Sequence, residues 1–343
     1  MLPTIEPGIK ICAQMSPEPS EDDLKWVKQM GVDYVVTGTD ETKSSYEYYA
    51  SRRKLFADYG LTIYGFGNRS VHNMDAVTLN LPNRDAKVAQ YKQHLRDLGK
   101  AGIPYTTYAH MANGIWSSER EETRGGASAR ALDLNNNPRG HWNGTYYYEP
   151  LSHGRRYTQE EIWENYQSFI EEVVPVAEEV GVKIGFHPDD PPQPELAGVP
   201  RCIFSSHDGY QRALDIANSP NIGICFCVGC WLEGGPLMGK GVLESIEEFG
   251  RQGKIFKVHF RNVDQPLPHF VETFINNGYF DMYKVMKKLV EIDFDGVVIP
   301  DHVPVMAGDP RLGTAYTIGW MQALLQRAKE EVAAERAAAQ KAA

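Results

Sequence analysis

The chain has 343 residues, 42% of them apolar and 23% charged, with a formal net charge of −10. Duplex binding depends on phosphate neutralisation, so an acidic chain with no Lys/Arg-rich run argues against a nucleic-acid partner. No stretch approaches about 18 uninterrupted apolar residues, so no membrane span is expected. The opening MLPTIEPGIKI lacks a basic and apolar leader, and an odd set of five cysteines suits free or metal-bound thiols in a reducing cytoplasm.

Short β-branched runs alternate with longer helical patterns along the whole chain. Strands are predicted at 9–15 (IKICAQM), 33–38 (DYVVTG), 61–67 (LTIYGFG) and 103–109 (IPYTTYA). Four more fall at 182–187 (VKIGFH), 221–227 (NIGICFC), 254–260 (KIFKVHF) and 295–301 (DGVVIPD). Between them lie amphipathic stretches such as SEDDLKWVKQMG, YYASRRKLFADYG, DAKVAQYKQHLRDLGKAG and TQEEIWENYQSFIEEVVPVAEEVG. Each stops at a glycine, the residue that tolerates the left-handed turn ending a helix. Eight strand–helix units predict a single (β/α)8 barrel over 1–335. An open doubly wound sheet is the alternative, but no GxGxxG follows the first strand. The Ala/Glu/Lys/Arg-rich end is expected to begin as a helix and fray over 336–343.

One interval is too long for a connection. Residues 110–157, after the fourth strand, carry little hydrophobic periodicity, two tryptophans, a tyrosine triplet and several arginines. That composition suits an active-site lid packed over a ligand. An arm joining copies in a homo-oligomer is the other reading, and the two are compatible.

Four successive strand ends each carry a residue able to ligate a metal: His187, Cys227, His259 and Asp301. Side chains two apart on a strand share a face. His187 is in phase with Gly185 and Lys183, Cys227 with Cys225 and Gly223, His259 with Lys257 and Ile255, and Asp301 with Ile299 and Val297. Facing inward at the C-terminal mouth, where barrel active sites sit, accounts for all four at once. Two imidazoles, a thiolate and a carboxylate suit Zn²⁺, Mn²⁺, Fe²⁺ or Co²⁺ alike. Singly, each has an ordinary reading: a capping histidine, a packed thiol, an aspartate closing a turn. Cys225 reads as barrel packing and Cys230 as a loop thiol, since no second pair supports a zinc knuckle. Lys183 and Lys257 fall on the inward face, where a buried salt bridge is the default expectation and substrate binding the minority one.

In HPDDPP (187–192), FCVGCW (226–231), VHFRNV (258–263), ETFINNGYFDMYKV (272–285), PDHVPVMAGDP (300–310) and YTIGWMQAL (316–324), the chain resembles the mannonate dehydratase family. The resemblance implies a TIM barrel that uses a divalent metal, typically Mn²⁺, to convert D-mannonate into 2-keto-3-deoxy-D-gluconate and water. It puts the metal ligands on His187, Cys227, His259 and Asp301, and the catalytic histidine and tyrosine on His302 and Tyr316. Dehydration needs one group to take the C2 proton and another to protonate the departing hydroxyl. Arg261, in phase with His259, is a candidate for neutralising the substrate carboxylate, as is Arg201, which matches a family position.

The first half departs from the family pattern. QMSPEP and TGTDETK stand where an Asn-Asp and a His-His pair are usual, and Val-Gly-Cys follows where Thr-Gly-Ser is usual after the thiolate. Metal-dependent dehydration of a sugar acid is the leading expectation. A metal-dependent isomerase or epimerase on a related aldonate or keto-sugar is the alternative, and a non-catalytic sugar- or metal-binding barrel the third.

Overall fold

The computed structural model describes residues 2–342. Its frame is eight parallel strands: β1 (Ile9–Gln14), β2 (Tyr34–Thr39), β3 (Thr62–Asn68), β4 (Tyr105–Tyr108), β5 (Lys183–Phe186), β6 (Ile222–Cys227), β7 (Ile255–Phe260) and β8 (Gly296–Pro300). They pair in the order β3-β2-β1-β8-β7-β6-β5-β4. The seam between β3 and β4 is closed by packing, with the Tyr64 and Tyr105 rings 5.4 Å apart. A single bridge from Asn73 to Ala109 lies above it. Each strand falls within a residue or two of its sequence-predicted run.

Eight principal helices surround the strands: α1 (Glu21–Gln29), α2 (Tyr46–Asp58), α3 (Arg84–Ala101), α4 (Gln159–Val180), α5 (His207–Ala217), α6 (Val242–Arg251), α7 (Met282–Glu291) and α8 (Leu312–Ala342). Local chemistry sets their ends. Ser20 with Asp23, and Thr158 with Glu161, form capping boxes that satisfy the first free N–H groups of α1 and α4. Helix α8 runs on to Ala342 where a frayed tail is expected from 336. Its alanine-rich end keeps helical hydrogen bonds at little side-chain entropy cost, although residues 333–342 are exposed.

Two apolar layers result. The larger lies between strands and helices; the smaller fills the barrel with Cys12, Val36, Tyr64, Tyr105, Phe256, Val297 and Ile299. Tyr105 fits because two neighbouring positions are glycine: a Cβ on Gly65 would lie 2.7 Å from its ring, and one on Gly185 would overlap its hydroxyl. The strand-parity expectation breaks at one place. A register shift between β6 and β7 pairs Ile224 with Ile255 but Cys225 with Lys257. Below it, Ile255 joins the outer core and Phe256 the barrel interior. Lys257 and His259, above the shift, keep the inward phase. Lys183 is not a buried lysine: it is exposed at the opposite end, its ammonium 4.7 Å from the Phe256 ring centre.

Residues 110–157 form short strands rather than an irregular loop. Ile115–Ser117, Arg139–Trp142 and Thr145–Tyr147 make an antiparallel sheet. Ala131–Asp133 pairs with His269–Thr273 in the segment after β7. The insertion is thereby stitched to the opposite side of the mouth. No helix among the described residues is long and apolar enough to cross a membrane.

Candidate active site at the barrel mouth

The C-terminal ends of the strands open into a cavity of about 740 Å³, walled by residues in and after β1–β4 on one side and β5, β7 and β8 on the other. The insertion contributes Ile115 and Trp142 to its wall, Trp142 stacking on His72 at 5.1 Å. The four strand-end donors converge here. His187 Nε2 lies 3.2 Å from His259 Nδ1, which lies 3.4 Å from Asp301 Oδ2. Cys227 Sγ is 4.0 Å from that same oxygen. The ligand atoms of Cys227, His259 and Asp301 all fall within 4.8 Å of one another, as do those of His187, Cys227 and Cys230. Cys230 is a buried member of the helical turn Val228–Gly234, not a loop thiol, and its sulfur accepts a 3.3 Å bond from Arg261.

Several features fit this set to a metal ion. His187 donates through Nδ1 to the Pro188 carbonyl at 2.8 Å, which leaves Nε2 as the free nitrogen facing the cluster. His259 turns Nδ1 toward the same point, between His187 Nε2 and Asp301 Oδ2. Burial favours a neutral Cys227 thiol, but Cys230, Arg261 and His187 hold its ionisation well below the usual thiol range. Burial would likewise raise Asp301, yet His259, His302 and Arg261 keep it well below an ordinary carboxylate.

Beneath the cluster lies a buried lattice of opposite charges. Arg261 reaches Asp301 at 2.9 Å, Asp190 at 3.1 Å and Glu272 at 3.2 Å, and also bonds Glu233. Arg130, from the insertion, meets Asp190 at 2.6 Å, Glu272 at 2.9 Å and Glu233 at 3.3 Å. It also donates to the Trp116 carbonyl at 2.7 Å. Burial raises the Glu233 carboxyl to about 7 despite both guanidinium groups.

His302 stands beside Asp301 on the cavity wall, with Nδ1 2.7 Å from Glu272 Oε1. It adopts φ 45, a left-handed conformation unusual for a non-glycine residue, which turns the ring toward the mouth. Burial opposes its charge, but Asp301 and Glu272 hold its pKa up to about 9.

Tyr316, Arg261 and Arg201 do not line the cavity, and neither does the fully buried Cys227. Tyr316, on α8, packs edge-on against Phe274, and its hydroxyl accepts a 3.4 Å bond from Arg124 of the insertion. Arg261 is consumed by the carboxylate lattice. Arg201 is buried behind the mouth, donating to the Pro191 carbonyl at 3.1 Å and Asn113 Oδ1 at 2.9 Å. Sequence reasoning passed over Arg130, Asp190, Glu233 and Glu272. The only cue was a cluster of charge in otherwise apolar surroundings, as in HPDDPP. It also passed over Gln14 and Asn68 of the cavity wall, which end strands as the metal donors do but as neutral groups, and His72, which closes the helical turn Arg69–His72 after β3.

The fold is that of a TIM barrel with its candidate site at the C-terminal mouth. A xylose isomerase domain protein from Planctomyces limnophilus matches it with TM-score 0.60 over 96% of this chain and 99% of that one, at 13% identity, a likeness of fold alone. Within that class, the D-mannonate dehydratase family model matches residues 18–139 and 147–330, and the chain belongs to that family. It is similar to the mannonate dehydratase of Oceanobacillus iheyensis, 32% identical over 270 residues covering 73% of this chain and 74% of that protein. The crystal structure of mannonate dehydratase from Streptococcus suis serotype 2 matches with TM-score 0.81 and 26% identity over 94% of this chain and 95% of that one. Membership makes the chain an enzyme of the hydro-lyase class.

Proposed function

We propose that this chain dehydrates a sugar acid in the cytoplasm, with D-mannonate as the leading substrate and 2-keto-3-deoxy-D-gluconate and water as products. The observation that carries the reading is the convergence of four metal-ligand side chains beside His302, a histidine tethered to a buried carboxylate. A divalent metal held by His187, Cys227, His259 and Asp301, Mn²⁺ by family resemblance, supplies Lewis-acid stabilisation for charge that develops on the substrate carboxylate.

The protein groups handle the protons. A base removes the C2 proton, the C3–O bond breaks, and an acid protonates the leaving hydroxyl so that it departs as water. One proton is taken and one given, and the resulting 2-enol rearranges to the 2-keto acid. We assign these two transfers to His302 and Tyr316. Glu272 fixes the His302 ring, and Arg130 and Arg261 fix Glu272. Assigning Tyr316 requires the Arg124 segment of the insertion to shift, since that residue now holds its hydroxyl. Arg261 acts in this scheme by holding Asp301 and Glu272, with its donors already committed. Residues 110–157 serve as an anchored cover that excludes water from the mouth.

The test is to incubate metal-free protein with Mn²⁺ and D-mannonate and follow the keto acid. Metal-dependent product is expected. His302→Asn and Tyr316→Phe should each lower kcat by about 10²–10⁴-fold at unchanged metal content. No product from a folded, metal-loaded protein would sink the substrate assignment, and interconversion of a keto-sugar without loss of water would replace it with the epimerase reading.

A further inference from the structure

Three lysines sit on or near the inward face of the barrel, and only one lacks an evident reason to be there. Lys10 is buried at the closed end, where its ammonium meets Asp295 at 2.6 Å and the Gly8 carbonyl at 2.6 Å. Lys183 reaches solvent. Lys257 is 6% exposed and lines the substrate cavity two residues before His259. Its one hydrogen bond goes to Thr107 Oγ1 at 3.3 Å, a hydroxyl shared with Tyr105 Oη at 3.0 Å. It pairs with no carboxylate among the described residues.

An ammonium has three donors, and here two are unspent. A buried charge without a partner is costly, which is why such groups are normally matched to an opposite charge. The acids that share the cavity wall do not serve. Asp190 is bound by Arg130 and Arg261, and Asp301 by Arg261 and His259. The nearby histidines His72 and His259 add no negative charge, and the buried Cys12 thiol is driven by burial toward its neutral form. Burial opposes a thiolate at Cys225, opposite Lys257 in the strand register, while His259 first and Lys257 second draw it toward that charge. His259 shares what charge it carries, so a full counter-charge for Lys257 has to arrive with the ligand.

We propose that Lys257 is a catalytic residue that binds the carboxylate end of the substrate and makes this mouth select sugar acids over the neutral sugars of the same carbon skeleton. The inference rests on the sugar-acid reading above and deepens it. In that chemistry, loss of the C2 proton sends charge onto the carboxylate oxygens as an enediolate. A fixed ammonium beside them stabilises that charge more than it stabilises the ground state. Lys257 thus works from the barrel floor, and the residues at the strand ends work from above.

The experiment compares D-mannonate with D-mannitol, its polyol without the carboxylate, on wild type, Lys257→Met and Lys257→Arg. Thermal shifts are read with and without Mn²⁺, and turnover is read with Mn²⁺. Wild type should bind the acid at least tenfold more tightly than the polyol. Lys257→Met should lose that preference in the metal-free protein and drop kcat/KM by about 10²–10³-fold. Lys257→Arg should recover part of both. Ligand-free Lys257→Met should melt no lower than wild type, because an unmatched buried charge has been removed; a purely structural lysine would give a lower melting temperature. Unchanged kcat/KM with an unchanged acid preference in Lys257→Met would overturn the proposal while leaving the dehydratase reading intact. If wild type turns over no aldonate, that reading fails separately. The same shifts on other acid–polyol pairs still decide Lys257: an acid preference that vanishes in Lys257→Met upholds it, and none in wild type, or one surviving in the variant, overturns it.

Discussion

On the wall of the mouth built by β5–β8, charged side chains are buried and matched to one another: Arg130 and Arg261 against Asp190, Glu233, Glu272 and Asp301. On the wall built by β1–β3, the side chains facing the cavity are neutral, among them Gln14, Thr37, Asn68 and His72, with Arg69 at the exposed rim. Burial, followed by the positive charges of His187 and Lys257, pushes His72 down to about 3, so that it faces the cavity uncharged. One wall therefore holds preorganised electrostatics, and the other offers hydrogen-bond donors and acceptors to a polyhydroxylated chain. The charged wall rises from strands of the second half of the chain and the neutral one from strands of the first.

The strongest way to break this picture is to unbalance the charged wall. Arg130→Met leaves three buried carboxylates short of a partner, and should cost about 3–5 kcal/mol of stability, read from urea unfolding. It should also loosen the insertion, because Arg130 ties it to the barrel. A loss below about 1 kcal/mol would mean that the lattice is matched by Arg261 alone.

A second test, on protonation rather than on pairing, falls on the neutral side of the barrel. His72, His94 and His110 are all driven by burial to about 3, against about 6.5 when unfolded. Above pH 6.5 neither state binds these protons, and their contribution to stability is complete. As pH falls toward 3 the unfolded chain takes them up and the folded one does not, so stability drops by up to about 1.4 kcal/mol per pH unit for each histidine. Unfolding free energies between pH 7 and 5 should show that slope, and His94→Gln should reduce it. A flat profile would contradict the burial of these rings.

How much of this the sequence showed follows the range of the interactions. The eight strands were legible because each is a short apolar run whose burial is decided locally. The donors His187, Cys227, His259 and Asp301 were legible because each ends such a run, and the structure brings all four together. Arg261 was legible as inward-facing but not in its company: Asp190 and Glu233 lie 71 and 28 residues away. The strands of the insertion were hidden for the same reason. Ala131–Asp133 finds its partner at His269–Thr273, and neither run is long or apolar enough to declare itself. The parity slip at Phe256 depends on a register shift against β6 that no single-strand pattern encodes.

The proposed function stands on one divalent ion held by donors from β5–β8, with Cys227 among them. Titrating metal-free protein with Co²⁺ tests it most directly, since a thiolate ligand gives a near-ultraviolet charge-transfer band that imidazole and carboxylate do not. The band should saturate at one equivalent and disappear in Cys227→Ser, while that variant still folds. Saturation with no such band, or a band that survives Cys227→Ser, would contradict it.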